Sequence, residues 1–332
     1  MKNNLCIGVV GGGSWATAIV KILQEKKSPL SWWLRSKEQA LFIKENKHNP
    51  KYISSAKINS DKILFTNSLE EIISVSDILI IAIPSEFIYD TFLNVDKKAL
   101  ENKILVSATK GIIPQLNLLP AIYFKEQFNL KLGAVAVISG PCHAEEVAME
   151  KLSFLTLACE NIETATVLSN LFATKFIKTH SSNDMLGVEL SSVLKNVYAI
   201  SAGIAHGLGY GDNFISVLIS NCIKELEVFL SEIYPSDRVV NSTEYLGDLL
   251  VTSYSLHSRN RRFGNLIGRG YSVSAAKAQM NMIAEGYYAS KCVQELNKNK
   301  SINTPIANAV YQVLHCSKSP KTVFKTLSGL MS

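Results

Sequence analysis

Residues 5–23 read LCIGVVGGGSWATAIVKIL, a short apolar run followed by three glycines and an amphipathic stretch. This pattern predicts a strand that turns sharply into a helix. The spacing Gly11-x-Gly13-x-x-Ala16 is typical of a dinucleotide-binding turn. In such a turn Gly11 allows the tight bend, Gly13 leaves room for a pyrophosphate and Ala16 lets the helix pack closely on the strand. The unpaired N–H groups at the helix start would then face the anion.

Composition limits the class of protein. The chain has 332 residues, of which 47% are hydrophobic and 19% charged, and this is enough for two domains with large cores. The net charge of +6 suits anionic ligands, but the basic residues form no stripe or tail, which argues against nucleic-acid binding. Six cysteines stand far apart without a C-x-x-C pair, so neither a metal site nor a disulfide framework is predicted. The most hydrophobic internal run, 78–83, is too short to span a bilayer, so we expect a cytoplasmic protein without a membrane span.

The first half of the chain alternates short apolar, β-branched runs with helical patterns, which indicates a parallel sheet covered by helices on both faces. Predicted strands lie at 5–10, 30–34, 63–66, 78–83, 104–107, 134–139 and 154–158. Beyond about residue 183, helical periodicity covers 187–206, 214–234 and 274–297. We therefore predict an α/β protein with an N-terminal Rossmann-type doubly wound sheet in residues 1–183 and an all-helical domain in residues 184–332. A packed junction between such domains is where a substrate cleft is expected.

The end of the second predicted strand bears on the choice of cofactor. An acidic residue there would bind the ribose 2′-hydroxyl of NAD, but the chain has Leu34-Arg35-Ser36-Lys37. Arg35 could bind a 2′-phosphate through paired hydrogen bonds, which favours NADP over strict NAD. The alternative is a solvated basic turn, and Glu38 could still reach a ribose if the strand ends later. Use of both NADP and NAD stays open.

Polar side chains follow the predicted strands at the carboxyl edge of the sheet, in residues 83–85, 107–111 and 139–144. Lys110 could hold a phosphate or carboxylate there as a compact positive charge, although an ordinary surface lysine is the simpler interpretation. His143, at a predicted helix start, is interpreted as a capping or packing residue rather than a catalytic one.

Two ionisable residues stand out in the helical half. Lys195 is flanked by Leu194 and Val197, and partial desolvation would lower its pKa so that the amine could exchange a proton near neutral pH. The alternative is a lysine that extends its charged end into water. Asp248 precedes an apolar run, which a buried partner such as Lys195 would explain, as would capping of the following helix.

Residues 258–264 read SRNRRFG, with three arginines among hydroxyl and amide donors. Guanidinium groups bind phosphate oxygens in pairs, so this segment is a candidate phosphate site. A solvated charge run or a nucleic-acid patch is the alternative. Glu285 could accept hydrogen bonds from a ribose or an arginine.

Taken in order, seven segments resemble bacterial NAD(P)-dependent glycerol-3-phosphate dehydrogenases over nearly the whole chain. They are GGGSWA at 11–16, ATKG at 108–111, SGP at 139–141, LKNV at 194–197, GDL at 247–249, SRNRRFG at 258–264 and AEG at 284–286. The resemblance implies a Rossmann domain, a helical substrate domain and usually a homodimer. It also implies interconversion of sn-glycerol 3-phosphate and dihydroxyacetone phosphate, mainly towards glycerol 3-phosphate for phospholipid synthesis.

The resemblance assigns roles by position. Lys195 matches the proton acceptor, and we expect Asp248 and Asn196 to orient its ammonium group. The positions expected to contact substrate are Lys110, Gly140, Cys142, Lys195, Asp248, Ser258, Arg259 and Asn260. The positions expected to bind cofactor are Gly11, Gly13, Ser14, Trp15, Arg35, Lys110, Ala144, Arg259, Ile283 and Glu285. The family usually has Thr or Ser where this chain has Cys142, and a thiol is a weaker hydrogen-bond partner than a hydroxyl.

Two other functions are compatible with this overall plan. A β-hydroxyacid dehydrogenase shares the overall plan but often carries a Lys-x-x-x-Asn pattern, whereas Asn196 here directly follows Lys195. A catalytically silent NAD(P)-binding sensor would use the same fold, and fold alone does not distinguish a sensor from an enzyme.

Overall fold

The computed structural model describes residues 5–280 and 284–331. They group into two compact units, one formed by residues up to Thr109 together with Pro120–Met185, the other by Lys110–Leu119 together with the chain from Leu186 onwards. The domain limits 1–183 and 184–332 remain a prediction. In the structure, Lys110–Leu119 groups with the helical unit. Within that segment Ile112 and Ile113 are fully buried, and burial of these apolar side chains stabilises its packing in the helical unit.

The first unit is built on one eight-stranded sheet in the order β3-β2-β1-β4-β5-β6-β7-β8. Its strands are β1 (Ile7–Val10), β2 (Leu30–Trp33), β3 (Ile63–Thr66), β4 (Ile78–Ile81), β5 (Ile104–Ser107), β6 (Val135–Ser139), β7 (Ser153–Ala158) and β8 (Ile177–Ser182). Val10, the last residue of β1, pairs with Trp33 on one side and Ile81 on the other. The strand order reverses at β1, and the crevice at such a reversal is where open α/β sheets bind their ligands.

Seven α-helices accompany this sheet in the described part of the first unit. They are α1 (Ser14–Leu23), α2 (Lys37–Asn46), α3 (Leu69–Val75), α4 (Ile88–Phe92), α5 (Pro120–Gln127), α6 (Ala144–Ala148) and α7 (Ile162–Phe172). Val9, Trp32 and Ile80 in the central strands have no exposed surface, and Ile19 of α1 is equally buried. The apolar runs that predicted buried parallel strands therefore form the core between sheet and helices.

Two features of the sheet differ from the prediction. β7 pairs antiparallel to β6, since the short connection at 140–152 returns the chain in the opposite direction. β8 was not predicted at all. Only Ile177 is buried in this edge strand. The exposed positions need no apolar side chains, so the sequence IKTHSS carries no apolar run that would predict a strand.

The described residues after Ser182 contain helices and no strand. The helices are α8 (Met185–Gly207), α9 (Asp212–Ile233), α10 (Asp248–Tyr254), α11 (Arg259–Gly268), α12 (Val273–Ala278), α13 (Glu285–Asn297), α14 (Pro305–His315) and α15 (Pro320–Ser328), and one π-helical turn, Thr243–Gly247, precedes α10. The helical pattern predicted at 274–297 is divided between α12 and α13, because Ala284 has an extended backbone and α13 starts after it. Within the described ranges, every helix is too short or too polar to cross a membrane.

Helices α8 and α11 cross with their backbones in contact. A Cβ on Gly203 would collide with the Arg261 carbonyl oxygen, and one on Gly264 would collide with the Ile200 carbonyl oxygen. Gly207 and Gly268 repeat the arrangement one turn later. Only glycine permits this approach, and it holds α11 against the C-terminal part of α8, residues 200–207.

Candidate active site

The glycine turn of the first unit has the geometry of a phosphate cradle. Gly11 has φ +136°, and a Cβ there would collide with the Ala82 carbonyl oxygen, so the position requires glycine. Gly13 has an ordinary φ of −84° as the N-cap of α1, and a Cβ on it would meet no atom within 4 Å. Its surroundings are open, beside the N-terminus of a ten-residue helix whose first N–H groups lack helical partners. These residues fit the diphosphate of a dinucleotide.

The end of β2 presents a cation to solvent. Arg35 is exposed, and its guanidinium carbon lies 5.9 Å from the centre of the Phe87 ring. Glu38 accepts a hydrogen bond from Ser36 Oγ at 2.6 Å, and this bond holds the pKa of the Glu38 carboxyl below its usual value. The Glu38 carboxylate therefore stays charged and is bonded to Ser36, the N-cap of α2. Arg35 is then the candidate at this strand end for contact with the cofactor ribose.

The remaining candidates of this unit lie at the ends of elements. Ser14 and Trp15 start α1, and Ala144 starts α6. Gly140 has φ +121° directly after β6, and a Cβ on it would lie 2.7 Å from the Phe154 carbonyl oxygen. Cys142 follows it and is buried.

In the helical unit, Lys195 and Asp248 form a buried ion pair. Lys195 is 3% exposed and donates from Nζ to Asp248 Oδ1, and Asp248 is 1% exposed. A second ammonium group, Lys110 Nζ, lies 3.4 Å from Asp248 Oδ2. Two lysines therefore share one carboxylate, so the cluster carries a net positive charge when both amines are protonated.

This environment shifts the proton affinity of Lys195. Burial lowers the pKa of Lys195 to about 7, and the nearby Lys110 ammonium acts in the same direction, while the Asp248 carboxylate opposes both. The amine and ammonium forms are therefore both accessible near neutral pH. A group of this kind can give or take a proton at little cost, as a general acid or base requires.

Thr252 fixes the direction of the hydrogen bonds around the lysine. Its hydroxyl donates to the Asp248 carbonyl oxygen at 2.6 Å, one helical turn back, so its oxygen accepts from Lys195 Nζ at 3.1 Å. Thr252 was not among the residues predicted from the sequence. The signal was its position four residues after Asp248, because i and i+4 side chains share one face of a helix.

A chain of amides runs beside the ion pair. Asn196 Nδ2 donates to the Lys110 carbonyl oxygen at 2.7 Å, and Asn196 Oδ1 accepts from Asn260 Nδ2 at 2.8 Å. Asn260 Oδ1 in turn accepts from the Gly286 N–H at 3.0 Å. Asn196 was expected to orient the Lys195 ammonium. Its amide instead joins the Lys110 backbone to α11 and α13, since its side chain leaves α8 in a different direction from that of its neighbour.

The arginine-rich segment forms the start of α11. Ser258 is buried and caps the helix by accepting from the Arg261 N–H at 3.3 Å, while Arg259 is exposed in the first turn. A cation at the N-terminus of a ten-residue helix gives this point two reasons to attract an anion. The capping role proposed for Asp248 is not the one observed, since Gly247 occupies the N-cap of α10 and the Asp248 side chain reaches Lys195.

The structure thus brings Lys110, Lys195, Asn196, Asp248 and Asn260 into one hydrogen-bonded cluster, with Ser258 and Arg259 on the adjoining turn. Glu285 precedes Gly286 at the start of α13. Ile283, predicted to contact cofactor, lies outside the described residues. Among the residues described, no group of three or more His, Cys, Asp or Glu side chains could hold a metal ion.

Comparison with known proteins places both halves of the chain. Residues 6–165 match the family model of the NAD-dependent glycerol-3-phosphate dehydrogenase N-terminus, and residues 184–325 match that of the C-terminus. The chain is 34% identical over 321 residues to a glycerol-3-phosphate dehydrogenase (NAD(P)+) from Clostridium botulinum strain Alaska E43, covering 97% of this chain and 96% of that protein. It is 32% identical over 309 residues to the enzyme of that name from Chlorobium limicola, covering 93% and 92%.

Solved structures agree with these sequence matches. The crystal structure of glycerol-3-phosphate dehydrogenase from Coxiella burnetii superposes with a TM-score of 0.90 at 25% identity, covering 98% of each chain. The glycine cradle, the buried lysine and the arginine segment therefore occur in a chain whose two halves both match one family. The chain belongs to the NAD-dependent glycerol-3-phosphate dehydrogenases.

Proposed function

We propose that this chain is an oxidoreductase that interconverts sn-glycerol 3-phosphate and dihydroxyacetone phosphate by hydride transfer with NAD(P), and that Lys195 moves the proton. The observation that carries the assignment of Lys195 is its burial in an ion pair with Asp248, a carboxylate that Lys110 shares, and this burial lowers the pKa of Lys195 to about 7. Membership of the family supports the reaction. None of the comparisons favours the β-hydroxyacid dehydrogenase or the silent sensor.

When bound, NAD(P)H would supply the hydride for the carbonyl carbon. In that direction the Lys195 ammonium donates a proton to the substrate oxygen as negative charge develops on it. An ammonium group has three N–H donors, and Asp248 and Thr252 take two of them. We assign the third to the substrate oxygen. In the reverse direction the neutral amine of Lys195 accepts the hydroxyl proton, with the same two residues holding it in place.

The substrate phosphate is assigned to the first turn of α11. Arg259 offers paired N–H donors there, and Ser258 and Asn260 flank it. Binding energy at this remote group would position the reacting carbon against Lys195. Lys110 supplies a second cation, with its backbone held by Asn196. Gly140 and Cys142 remain predicted substrate contacts of the first unit.

The cofactor is assigned to the glycine turn, with Arg35 favouring NADP. Gly11, Gly13, Ser14 and Trp15 would hold the diphosphate side. The open space at Gly13 supports this assignment, because a side chain there would occupy the room that a pyrophosphate needs. Ala144, Arg259, Ile283 and Glu285 stay predicted cofactor contacts, as does Lys110.

The test compares Lys195→Met with Lys321→Met, an exposed lysine on α15 in the same unit. Initial rates of NADPH oxidation with dihydroxyacetone phosphate should fall about 10²- to 10⁴-fold for Lys195→Met, the usual contribution of general acid–base catalysis. Direct binding of NADPH should be retained, and Lys321→Met should match the wild type. Unchanged turnover in Lys195→Met would remove the lysine from its role.

A second experiment addresses the phosphate. At saturating NADPH, Arg259→Ala should raise KM for dihydroxyacetone phosphate much more than KM for unphosphorylated dihydroxyacetone. Equal losses for both compounds would contradict a phosphate contact. Parallel assays with NADPH and NADH, repeated on Arg35→Ala, would settle the cofactor preference.

We further propose a cytoplasmic homodimer that supplies glycerol 3-phosphate for phospholipid synthesis. The support is the arrangement usual in the family that the chain resembles. Light scattering on the purified protein tests the dimer, and a monomer at assay concentration would contradict it.

A further inference from the structure

Asn49, outside every site predicted from sequence, is tied to the glycine turn. It follows α2 in the chain and has no exposed surface. Its Nδ2 donates to the Gly12 carbonyl oxygen at 3.1 Å and to Thr17 Oγ1 at 2.8 Å. Its Oδ1 accepts from Gln39 Nε2 at 3.1 Å and from the N–H groups of Lys51 and Tyr52 at 3.2 and 3.3 Å.

These bonds belong to a set that holds all three glycine carbonyls. Gly12 O also accepts from Gln39 Nε2 at 3.0 Å. Gly11 O accepts from Trp32 Nε1 at 2.6 Å, and Gly13 O accepts from the Thr17 N–H at 3.0 Å and from Thr17 Oγ1 at 2.9 Å. Asn49 donates to Gly12 O and also to Thr17, the residue that donates to Gly13 O. It therefore links the hydrogen bonds that hold the Gly12 and Gly13 carbonyls.

The direction of these carbonyls decides where the N–H groups point. In a trans peptide the C=O and the following N–H point in opposite directions, and the described chain has no cis peptide. Holding Gly12 O towards the buried Asn49 therefore turns the Gly13 N–H away from the interior. Glycine has more backbone freedom than any other residue, so three in succession would otherwise sample many orientations.

We propose that Asn49, assisted by Gln39, is a positioning residue that sets the glycine turn for the cofactor diphosphate before the cofactor binds. Pre-ordering of this kind increases affinity, because the turn does not have to lose its freedom on binding. The inference rests on the proposed binding of NAD(P) at this turn. Asn49 is bonded to the turn and has no exposed surface, so it would act on the cofactor through the turn.

The experiment measures NADPH binding directly, by fluorescence titration of full-length variants at a temperature where circular dichroism shows each one folded. Asn49→Ala removes both halves of the amide. Asn49→Asp keeps an oxygen for the Lys51 and Tyr52 N–H groups but loses the donor to Gly12. Asn46→Ala is the matched control, since Asn46 lies on α2 in the same unit and its side chain donates to the Phe42 carbonyl oxygen at 3.0 Å in an exposed hydrogen bond.

We expect the Kd of NADPH to rise about tenfold or more in Asn49→Ala and in Asn49→Asp, as loss of a buried hydrogen bond allows. ADP-ribose, which carries the diphosphate without nicotinamide, should weaken by a similar factor. The KM for dihydroxyacetone phosphate at saturating NADPH should stay within about twofold. Asn46→Ala should bind like the wild type.

If Asn49 only folded the loop after α2, Asn49→Asp would keep the acceptor for Lys51 and Tyr52 and would bind NADPH as tightly as the wild type. That result, or unchanged NADPH affinity in both Asn49 variants, would overturn the inference. If the Asn49 variants do not fold, Gln39→Ala gives the answer, with a weaker NADPH affinity expected and an unchanged one refuting the proposal. A wild type that binds neither NADPH nor NADH would instead refute the proposed function and the inference with it.

Discussion

Replacing Asp248 by Asn removes the negative charge that two ammonium groups share and keeps the size of the side chain. Asp248 is the group that raises the proton affinity of Lys195, against burial and Lys110, which both lower it. Without the carboxylate the two lowering effects act alone. The pKa of Lys195 should therefore fall below its present value of about 7.

The size of the shift follows from the distances. At an effective dielectric constant of about 20, unit charges separated by the 3.4 Å of the Lys110–Asp248 pair attract by about 5 kcal/mol. Lys195 lies closer still to the same carboxylate, but the two lysines share its charge. An opposite charge at such range commonly moves a pKa by about 1–3 units, or about 1.4–4 kcal/mol, and we expect a decrease in this range.

The assay is the pH dependence of initial rates in both directions. Reduction needs the ammonium form, so its rate falls as pH rises through the pKa of Lys195. In Asp248→Asn that fall should move to lower pH by about 1–3 units, which gives a further loss of about 10- to 10³-fold at pH 8 and partial recovery near pH 5. In the oxidation direction, the rise that accompanies formation of the neutral amine should move to lower pH as well.

Asp237→Asn is the matched control, an exposed aspartate in the same unit. Its profile should coincide with that of the wild type. An Asp248→Asn enzyme that is slower but keeps the wild-type pH midpoints would refute the reasoning. It would show that the Asp248 carboxylate does not set the proton affinity of Lys195.

Three further predictions concern separate parts of the molecule. Thr252→Val should lower kcat about 10-fold or more, because Lys195 loses a hydrogen-bond acceptor, and Thr252→Ser should restore it; equal kcat in all three proteins would contradict the role. Gly13→Ala should leave the thermal unfolding midpoint unchanged, since the added Cβ meets no protein atom, yet raise the Kd of NADPH at least about tenfold; unaltered binding would place the diphosphate elsewhere. Burial raises the pKa of Glu225 to about 7 although its carboxyl accepts from the N–H groups of Ile306 and Ala307, so the folded state holds a proton that the unfolded chain releases near pH 4.5. The free energy of unfolding that Glu225 contributes is therefore fully present below about pH 4.5 and decreases by up to about 3 kcal/mol as the pH rises to about 7. Glu225→Gln should flatten the pH dependence of the unfolding free energy between these two values.

The glycine turn and the central strands could be predicted from sequence because their signals are local. Gly11 needs a positive φ, and the apolar runs of β1 and β4 are buried on both faces of the sheet. β8 could not be found this way, since an edge strand exposes most of its side chains and its sequence carries no apolar run. The break between α12 and α13 was missed because helical periodicity continues across it.

The site was only partly accessible from sequence. A buried partner for Asp248 could be inferred from its apolar surroundings, but the second lysine could not, because Lys110 is 138 positions away in the chain. The anchoring of its carbonyl by Asn196 was equally out of reach, since it depends on how segment 110–119 packs in the helical unit. Pairings over such distances in the chain are decided by tertiary packing and leave no periodic pattern.

The crossing of α8 and α11 has a consequence for substrate range. The proposed proton donor is on one of these helices and the proposed phosphate anchor is on the other, and their separation is determined by touching main chains that no rotamer change can adjust. Side-chain substitutions away from these glycines therefore leave the distance between the two main chains unchanged. Enzyme redesign towards a phosphorylated ketone with an additional carbon would have to shorten a side chain at the site or shift segment 110–119, whose Lys110 carbonyl is joined to α8 by a hydrogen bond from Asn196.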